Sequence, residues 1–385
     1  MKEALNRLVT VRNTLVDMFV QREDAVSAVL SGLLARRPVL LIGDVGTAKT
    51  KLVFTTATLI KGSVFDIHLD PETDLDQVLG PIDIEAYKRG EYRRITEGYL
   101  PSADIVLIHE VFRGSRSVRD ALLDILERGY FRENNRLIKV KALGFFFDTN
   151  FVSTDVEDKA FIDRCTIRCF VNYVTEDAWE ELIEKAVRLE QVENGVEAVM
   201  TVEDVRVLQE ATRQRFLAVA RKKDLLSKYF EALGLLKKKG VEVSDRMKVR
   251  ILHVASAVSV LCLEKDVSLD SLAEALRYCV PLDEEQKSIV EQVVMECKLT
   301  SVAEYVQKVQ AMTMELDNVM KMLEETPSIE SLKALNTVKN KVLQELKKMP
   351  KNPRLLPYVR KLLPKLNEAV ALLNKYQEEV FGEGA

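Results

Sequence analysis

Apolar positions along this chain follow two rhythms in turn. Over residues 1–36 they recur at helical spacing: Leu5, Leu8, Val9, Val11, Leu15, Met18 and Phe19, then Ala25, Val26, Ala28, Val29 and Leu33. The polar Gln21-Arg22-Glu23-Asp24 separates the runs, so two helices are predicted. Short unbroken apolar runs follow. Residues 39–42, bounded by Pro38 and Gly43, and residues 105–108 read as buried strands, as does 143–147, while 63–69 alternates and 166–171 adds another. Helical patterns lie between them at 51–60 and on the stripe Val118, Ala121, Leu122, Ile125 and Leu126. Such alternation predicts an α/β fold with a parallel sheet. Residues 70–100 are polar and turn-rich, with β-like pieces at 81–84 and 91–95, and read as an insertion.

From 176 to 295 the pattern is almost wholly helical, with a break at 240–246. There Ser244 or Asp245 can cap a helix whose stripe is Val249, Leu252, Ala255, Ala257, Val258 and Leu261. Beyond 296 runs a polar helical extension. Its stripe (Val302, Tyr305, Val306, Val309, Met312, Leu316, Val319, Met320, Leu323) suits a hairpin or coiled coil, and Pro327, Pro350, Pro353, Pro357 and Pro364 punctuate the remainder.

The 385 residues are 47% hydrophobic and 30% charged, enough for two or three globular domains. A net charge of -4 gives no global pull toward nucleic acid, and the seven basic residues within 347–365 read as a solvated face. No apolar run reaches the length of a membrane span, and no signal-peptide core is evident. Five scattered cysteines fit a reducing interior and hence the cytoplasm; Cys165 and Cys169 are expected as buried thiols rather than metal ligands. Trp179 is expected in the core, and His68 and His253 in structural roles.

The chemistry concentrates where the first strand ends. Gly43-Asp44-Val45-Gly46-Thr47-Ala48-Lys49-Thr50-Lys51 is nearly a phosphate-binding loop, with Ala48 where a second glycine is expected. Its methyl group is tolerable if residue 48 is already helical. Backbone N–H groups would face the phosphates, Lys49 would add a point charge, and the Thr50 hydroxyl can ligate Mg²⁺. A glycine-rich turn before an ordinary helix is the plain alternative. Glu110 ends the strand 105–108, where parallel sheets present their sites, and can polarise a water; Asn150, ending another strand, can hydrogen-bond that water or a γ-phosphate.

In their order these motifs resemble the AAA+ ATPases, and among them the MoxR family, most closely its RavA-like branch. The resemblance rests on the Ala-Lys-Thr loop, the stretch Gly80-Pro-Ile-Asp-Ile-Glu-Ala-Tyr-Lys, the run from Glu91 to His109-Glu110, Asp163-Arg164 and Val243-Ser-Asp-Arg246, and it spans about 5–285. It implies an α/β nucleotide domain over 1–175, a helical lid over 176–295 and a helical extension over 296–385. Position by position it implies ATP/ADP with Mg²⁺ on the Walker A residues Lys49 and Thr50, Glu110 as catalytic glutamate and Asn150 as first sensor. Arg164, less well Arg168, would be the finger reaching a neighbouring subunit, and Arg246 the second sensor.

The resemblance further implies a homo-oligomeric ring, usually a hexamer, that remodels a protein client, with a von Willebrand A-type partner. One departure matters. The Walker B pair should read Asp-Glu, and here it is His109-Glu110, so His109 stands where a carboxylate would hold the metal's water shell. Hydrolysis that persists at a low rate competes with a scaffold that binds ATP without turnover. A nucleic-acid motor is a third reading, disfavoured by the acidic net charge.

Overall fold

The computed structural model describes all residues except 134–135, 152–155, 192–196, 301, 327, 350–354 and 382–385, and leaves undescribed the side chains of 156–157, 188–191, 302–303, 356–357 and 377–381. Pro327, Pro350 and Pro353 therefore lie outside the described residues. The chain forms two compact units, Met1–Leu299 and Thr300–Ala385.

The first unit opens with α1 (Lys2–Met18) and α2 (Glu23–Ala35), parted at the expected polar break. Then come β1 (Val39–Ile42), α3 (Lys49–Ile60) and β2 (Val64–His68). The 70–100 region holds two short helices, α4 (Leu75–Leu79) and α5 (Ile84–Lys88), and its expected β pieces at 81–84 and 91–95 pair antiparallel through a bridge between Ile82 and Arg94, the Asp83 and Ile95 N–H groups donating to the Arg93 and Pro81 carbonyls. Aspartates start the two helices: Asp74 and Asp83 each accept a backbone N–H three residues on, nucleating a turn of helix.

β3 (Ile105–His109) and α6 (Arg116–Arg128) follow. Next is an antiparallel pair that the sequence pattern did not reveal, β4 (Tyr130–Glu133) with β5 (Arg136–Lys139). β6 (Gly144–Thr149), α7 (Val156–Arg164) and β7 (Ile167–Phe170) complete the α/β part.

Five strands form one parallel sheet in the order β2-β3-β6-β1-β7. Alternate residues of β1 enter opposite layers: Val39 and Leu41 join one apolar cluster, Leu40 and Ile42 the other. A sheet buried on both faces needs such unbroken apolar strands.

Helices alone follow: α8 (Trp179–Gln191), α9 (Val202–Val219), α10 (Lys223–Lys238), α11 (Asp245–Leu261), α12 (Leu269–Cys279) and α13 (Glu284–Glu296). Ser244 caps α11, accepting the N–H of Met247. The expected stripe of α11 is only partly the buried one. Val249 is exposed, whereas Ile251 and the whole run from Val254 to Leu261 are buried, because α11 is enclosed by α2, α9 and α12. The buried Arg168 ties β7 to the end of α12, donating to the carbonyls of Cys279 and Pro281. All five cysteines are buried free thiols, and burial pushes Cys165 and Cys279 up to about 12.

The second unit contains α14 (Val302–Glu325), α15 (Ile329–Lys348) and α16 (Leu356–Phe381), which pack pairwise around Val309, Leu316, Leu323, Leu335, Val342, Leu362 and Ala369. Pro364 lies inside α16 instead of ending it. From the basic stretch, Lys348 pairs with Glu345 and Lys365 with Asp317.

Candidate functional site

The loop after β1 is built by close approach. The Gly43 N–H continues the ladder onto the Thr149 carbonyl at 3.1 Å, and a Cβ on Gly43 would stand 2.1 Å from the Val171 carbonyl oxygen. Only glycine fits there. Gly46 has φ +82°, and Ala48, which caps α3, has φ 65°. The condition under which its methyl group is tolerable, a residue 48 already helical, is therefore not met. Ala48 adopts the left-handed conformation that glycine takes without strain, because the chain must reverse before Lys49 begins α3.

Side chains clamp this loop from both flanks. Arg22 Nε donates to the Thr47 carbonyl at 3.1 Å, and Tyr173 Oη donates to the Val45 carbonyl at 3.1 Å. Thr47 is buried, its hydroxyl donating to the Asp44 carbonyl. Lys49 is 8% exposed, and its Nζ donates to the carbonyls of Gly43 (2.5 Å) and Asp44 (2.8 Å), with Asn150 Oδ1 at 3.5 Å. Burial lowers the Lys49 pKa, while the charges of Asp148, Glu110 and Asp44 act in the opposite sense.

Strand register assembles the rest. β3 pairs with β6 so that Ile108 lies beside Phe147; one step further brings His109 beside Asp148. β2 pairs with β3 so that His68 lies beside His109, and Asp66, two residues earlier, shares that face. His109 Nδ1 lies 2.6 Å from Asp148 Oδ2 and its Nε2 2.7 Å from Asp66 Oδ1. A ring with both nitrogens against carboxylate oxygens can donate to both only as the imidazolium. Burial pulls the His109 pKa down, but the hydrogen bonds and charges of Asp148 and Asp66 outweigh it and the net shift is upward. Asp148, 5% exposed, also accepts the Glu110 N–H at 3.3 Å, and Thr50 Oγ1 lies 3.4 Å from its Oδ2.

Glu110 follows β3 at φ 51°, a left-handed turn that aims its carboxylate at the loop. Asn150 Nδ2 donates to Glu110 Oε1 at 2.5 Å, and Glu110 Oε2 is buried with no hydrogen-bond partner. Lys49, Thr50, Glu110, Asn150, His109 and Asp148 thus line one cavity of about 490 Å³, with the exposed His68 stacked 6.4 Å from His109 at its edge. His68 is corrected from purely structural to cavity-lining.

A second cavity, of about 380 Å³, lies on the loop's other flank against Met18, Phe19, Val20, Tyr173 and Trp179. Trp179, expected in the core, is 53% exposed and lines this cavity, its indole N–H donating to the Val174 carbonyl. An aromatic wall beside a phosphate cradle suits a nucleobase.

The donor set fits a magnesium ion. Thr50 and Asp148 offer oxygen atoms 3.4 Å apart, and no group of three or more His, Cys, Asp or Glu among the described residues encloses a metal, so phosphate and water would supply the remaining ligands.

Two sequence candidates lie elsewhere. Arg164 pairs with Glu127 at 2.9 Å, and Arg246 pairs with the same carboxylate at 3.2 Å and with Asp163 at 3.3 Å. Neither lines either cavity beside the loop. Arg168, the weaker finger candidate, is buried against backbone carbonyls. Asp66 and Asp148 escaped the sequence reading, since nothing in it gave the order β2-β3-β6.

Residues 6–210, just over half of the chain, match the family model described as the MoxR domain in the MoxR-vWA-beta-propeller ternary systems. An uncharacterized protein of Methanocaldococcus jannaschii is 24% identical over 385 residues, covering 100% of this chain and 95% of its own length. The chaperone MoxR1 of Mycobacterium tuberculosis is 30% identical over 110 residues, 29% of this chain and 28% of that protein. A solved structure from Cytophaga hutchinsonii, described as a candidate ATPase, shares the fold with a TM-score of 0.59 at 17% identity, covering 76% of this chain and 94% of that one.

Proposed function

Since the chain belongs to the MoxR family of AAA+ proteins, we propose that it binds Mg-ATP at the Gly43–Lys51 loop and hydrolyses it to remodel a protein client. The observation that carries this reading is the single cavity shared by Lys49, Thr50, Glu110 and Asn150. Lys49 exchanges its two loop carbonyls for phosphate oxygens, which neutralises charge where the phosphoryl group departs. Glu110 Oε2, which makes no hydrogen bond and has Arg113 Nε 3.8 Å away, accepts a proton from the attacking water, and Asn150 fixes the angle of that carboxylate. Thr50 and Asp148 would hold a magnesium ion, which would supply electrostatic stabilisation of the phosphates. The nucleobase enters the cavity walled by Phe19, Tyr173 and Trp179.

Arg164 and Arg246 meet at Glu127, away from the chain's own loop. In a ring, Arg164 leaves Glu127 to reach the neighbour's γ-phosphate as the finger, Arg246 acts as the second sensor on the lid, and the site is complete only between subunits. The division at 175 follows the change from alternating strands and helices to helices alone, the second part acting as lid. A von Willebrand A-type partner is supported by the systems in which this MoxR domain class is described. The RavA-like branch rests on the 80–110 stretch alone.

A scaffold that binds ATP without turnover is the rival, motivated by His109. Nucleotide binding and phosphate release by the wild type, Lys49→Ala and Glu110→Gln separate the two. The proposal expects binding lost in the first variant, and binding kept with turnover lost in the second, which should also retain its client in a pull-down. Binding by the wild type with no phosphate release would favour the scaffold.

A further inference from the structure

The strand end at His109 lacks a carboxylate, yet a carboxylate stands where a nucleotide-bound cation would need one. Asp148 reaches that place from β6, the strand alongside. Its Oδ2 lies 3.4 Å from the Thr50 hydroxyl and 2.6 Å from His109 Nδ1, and its Oδ1 takes the Glu110 N–H. At 5% exposure this carboxylate is fixed from three sides. The ring of His109 is itself held from behind by Asp66 at 2.7 Å. We propose that Asp148, oriented through the Asp66–His109 bridge, is the carboxylate that fixes the nucleotide's divalent cation in this chain. The proposal rests on the nucleotide reading above and deepens it.

Three features of the geometry support the assignment. A divalent cation bound with a triphosphate beside Thr50 takes hard oxygen donors, and Asp148 is within hydrogen-bond distance of that hydroxyl. His109 carries its nitrogens toward two carboxylates, so it serves as a spacer between them and not as a ligand. The register of β2, β3 and β6 puts Asp66, His109 and Asp148 on one face, so the bridge is a product of the sheet rather than of flexible side chains. Asp148 and Thr50 are then the metal-side residues, and His109 and Asp66 position Asp148.

The test uses the full chain, the non-hydrolysable analogue AMP-PNP and Mn²⁺ as the cation. Nucleotide affinity is measured in EDTA, and Mn²⁺ affinity of the nucleotide complex by loss of the free-ion electron paramagnetic resonance signal. Asp148→Asn is expected to keep metal-free nucleotide affinity while weakening Mn²⁺ by about 10- to 100-fold, the scale seen when groups supporting a metal site are removed. Asp66→Asn is expected to weaken it less. The exchange variant His109→Asp with Asp148→Asn, which moves the carboxylate one strand over, is expected to recover most of the loss. Wild-type Mn²⁺ affinity in Asp148→Asn overturns the proposal and leaves the nucleotide reading standing, whereas a wild type that binds no nucleotide takes down both. Should Asp148→Asn fail to fold, the exchange variant decides: Mn²⁺ bound as in wild type supports the proposal, and nucleotide bound without Mn²⁺ overturns it.

Discussion

Asn150 Nδ2 lies 2.5 Å from Glu110 Oε1, while Oε2 of the same carboxylate is buried and has no hydrogen-bond partner. One oxygen is thus held by a positioning group, and the other makes no hydrogen bond, with Arg113 Nε 3.8 Å away. A buried polar atom without a partner costs free energy, and a functional site is where such a cost persists. Asn150→Ala frees the carboxylate to rotate. The expected outcome is a fall in kcat of about 100-fold, the usual effect of misplacing a catalytic group by an ångström, with KM little changed. Steady-state phosphate release measures both, and a change confined to KM would contradict the positioning role.

Trp179 is the only tryptophan in the chain and lines the cavity beside the Gly43–Lys51 loop. Nucleotide binding should therefore change the intrinsic fluorescence in a saturable way. Lys49→Ala should abolish the response, and Trp179→Phe should remove the signal while binding by calorimetry persists. An unchanged spectrum at saturating ATP would place the base elsewhere.

Ala48 at φ 65° carries a strain that glycine does not. A left-handed alanine costs roughly 1–2 kcal/mol, partly offset by the roughly 0.5–1 kcal/mol entropic cost of glycine. Ala48→Gly should accordingly raise stability by about 1 kcal/mol, seen as a higher denaturant midpoint. A lower midpoint would mean that the backbone at residue 48 is relaxed.

His253 lies against Phe216 with ring centroids 3.5 Å apart and planes tilted by 33°, and burial followed by the charge of Arg37 lowers its pKa from 6.5 to about 4. The folded form keeps this ring neutral while the unfolded chain takes up a proton. Its contribution is therefore present above pH 6.5 and is lost as pH falls from 6.5 toward 4. His253→Gln should flatten the stability profile in that window, measured by chemical denaturation at several pH values. A profile as steep as the wild type's would assign the slope to other groups.

Arg164 and Lys49 test assembly together. If the arginine completes a neighbour's site, Lys49→Ala and Arg164→Ala are each inactive alone but recover part of the ATPase activity when mixed, because some interfaces then pair an intact loop with an intact arginine. No recovery on mixing subunits that demonstrably exchange would confine both residues to one chain.

Much of this protein was legible without coordinates. The run from Val39 to Ile42, bounded by Pro38 and Gly43, specified a strand wherever it came to lie, since four apolar residues between two breakers have few alternatives. The spacing of Gly43, Lys49 and Thr50 specified the loop because its chemistry is local, and Glu110 and Asn150 could be picked out as polar residues at the ends of apolar strands. The β-like pieces at 81–84 and 91–95 were legible too, and the caps at Asp74 and Asp83 that start the helices beside them were equally present in the sequence.

Only the tertiary structure decided who stands next to whom across the sheet. That β3 lies between β2 and β6 is a fact of strand order, and it alone turns Asp66, His109 and Asp148 into one bridge. The same holds for Trp179, whose exposure depends on what packs against α8, and for Arg246, brought beside Arg164 from a distant helix. Sequence spacing carries the interactions of residues a few positions apart. Contacts between elements depend on the order in which apolar faces find partners, and that order is set by the whole core at once.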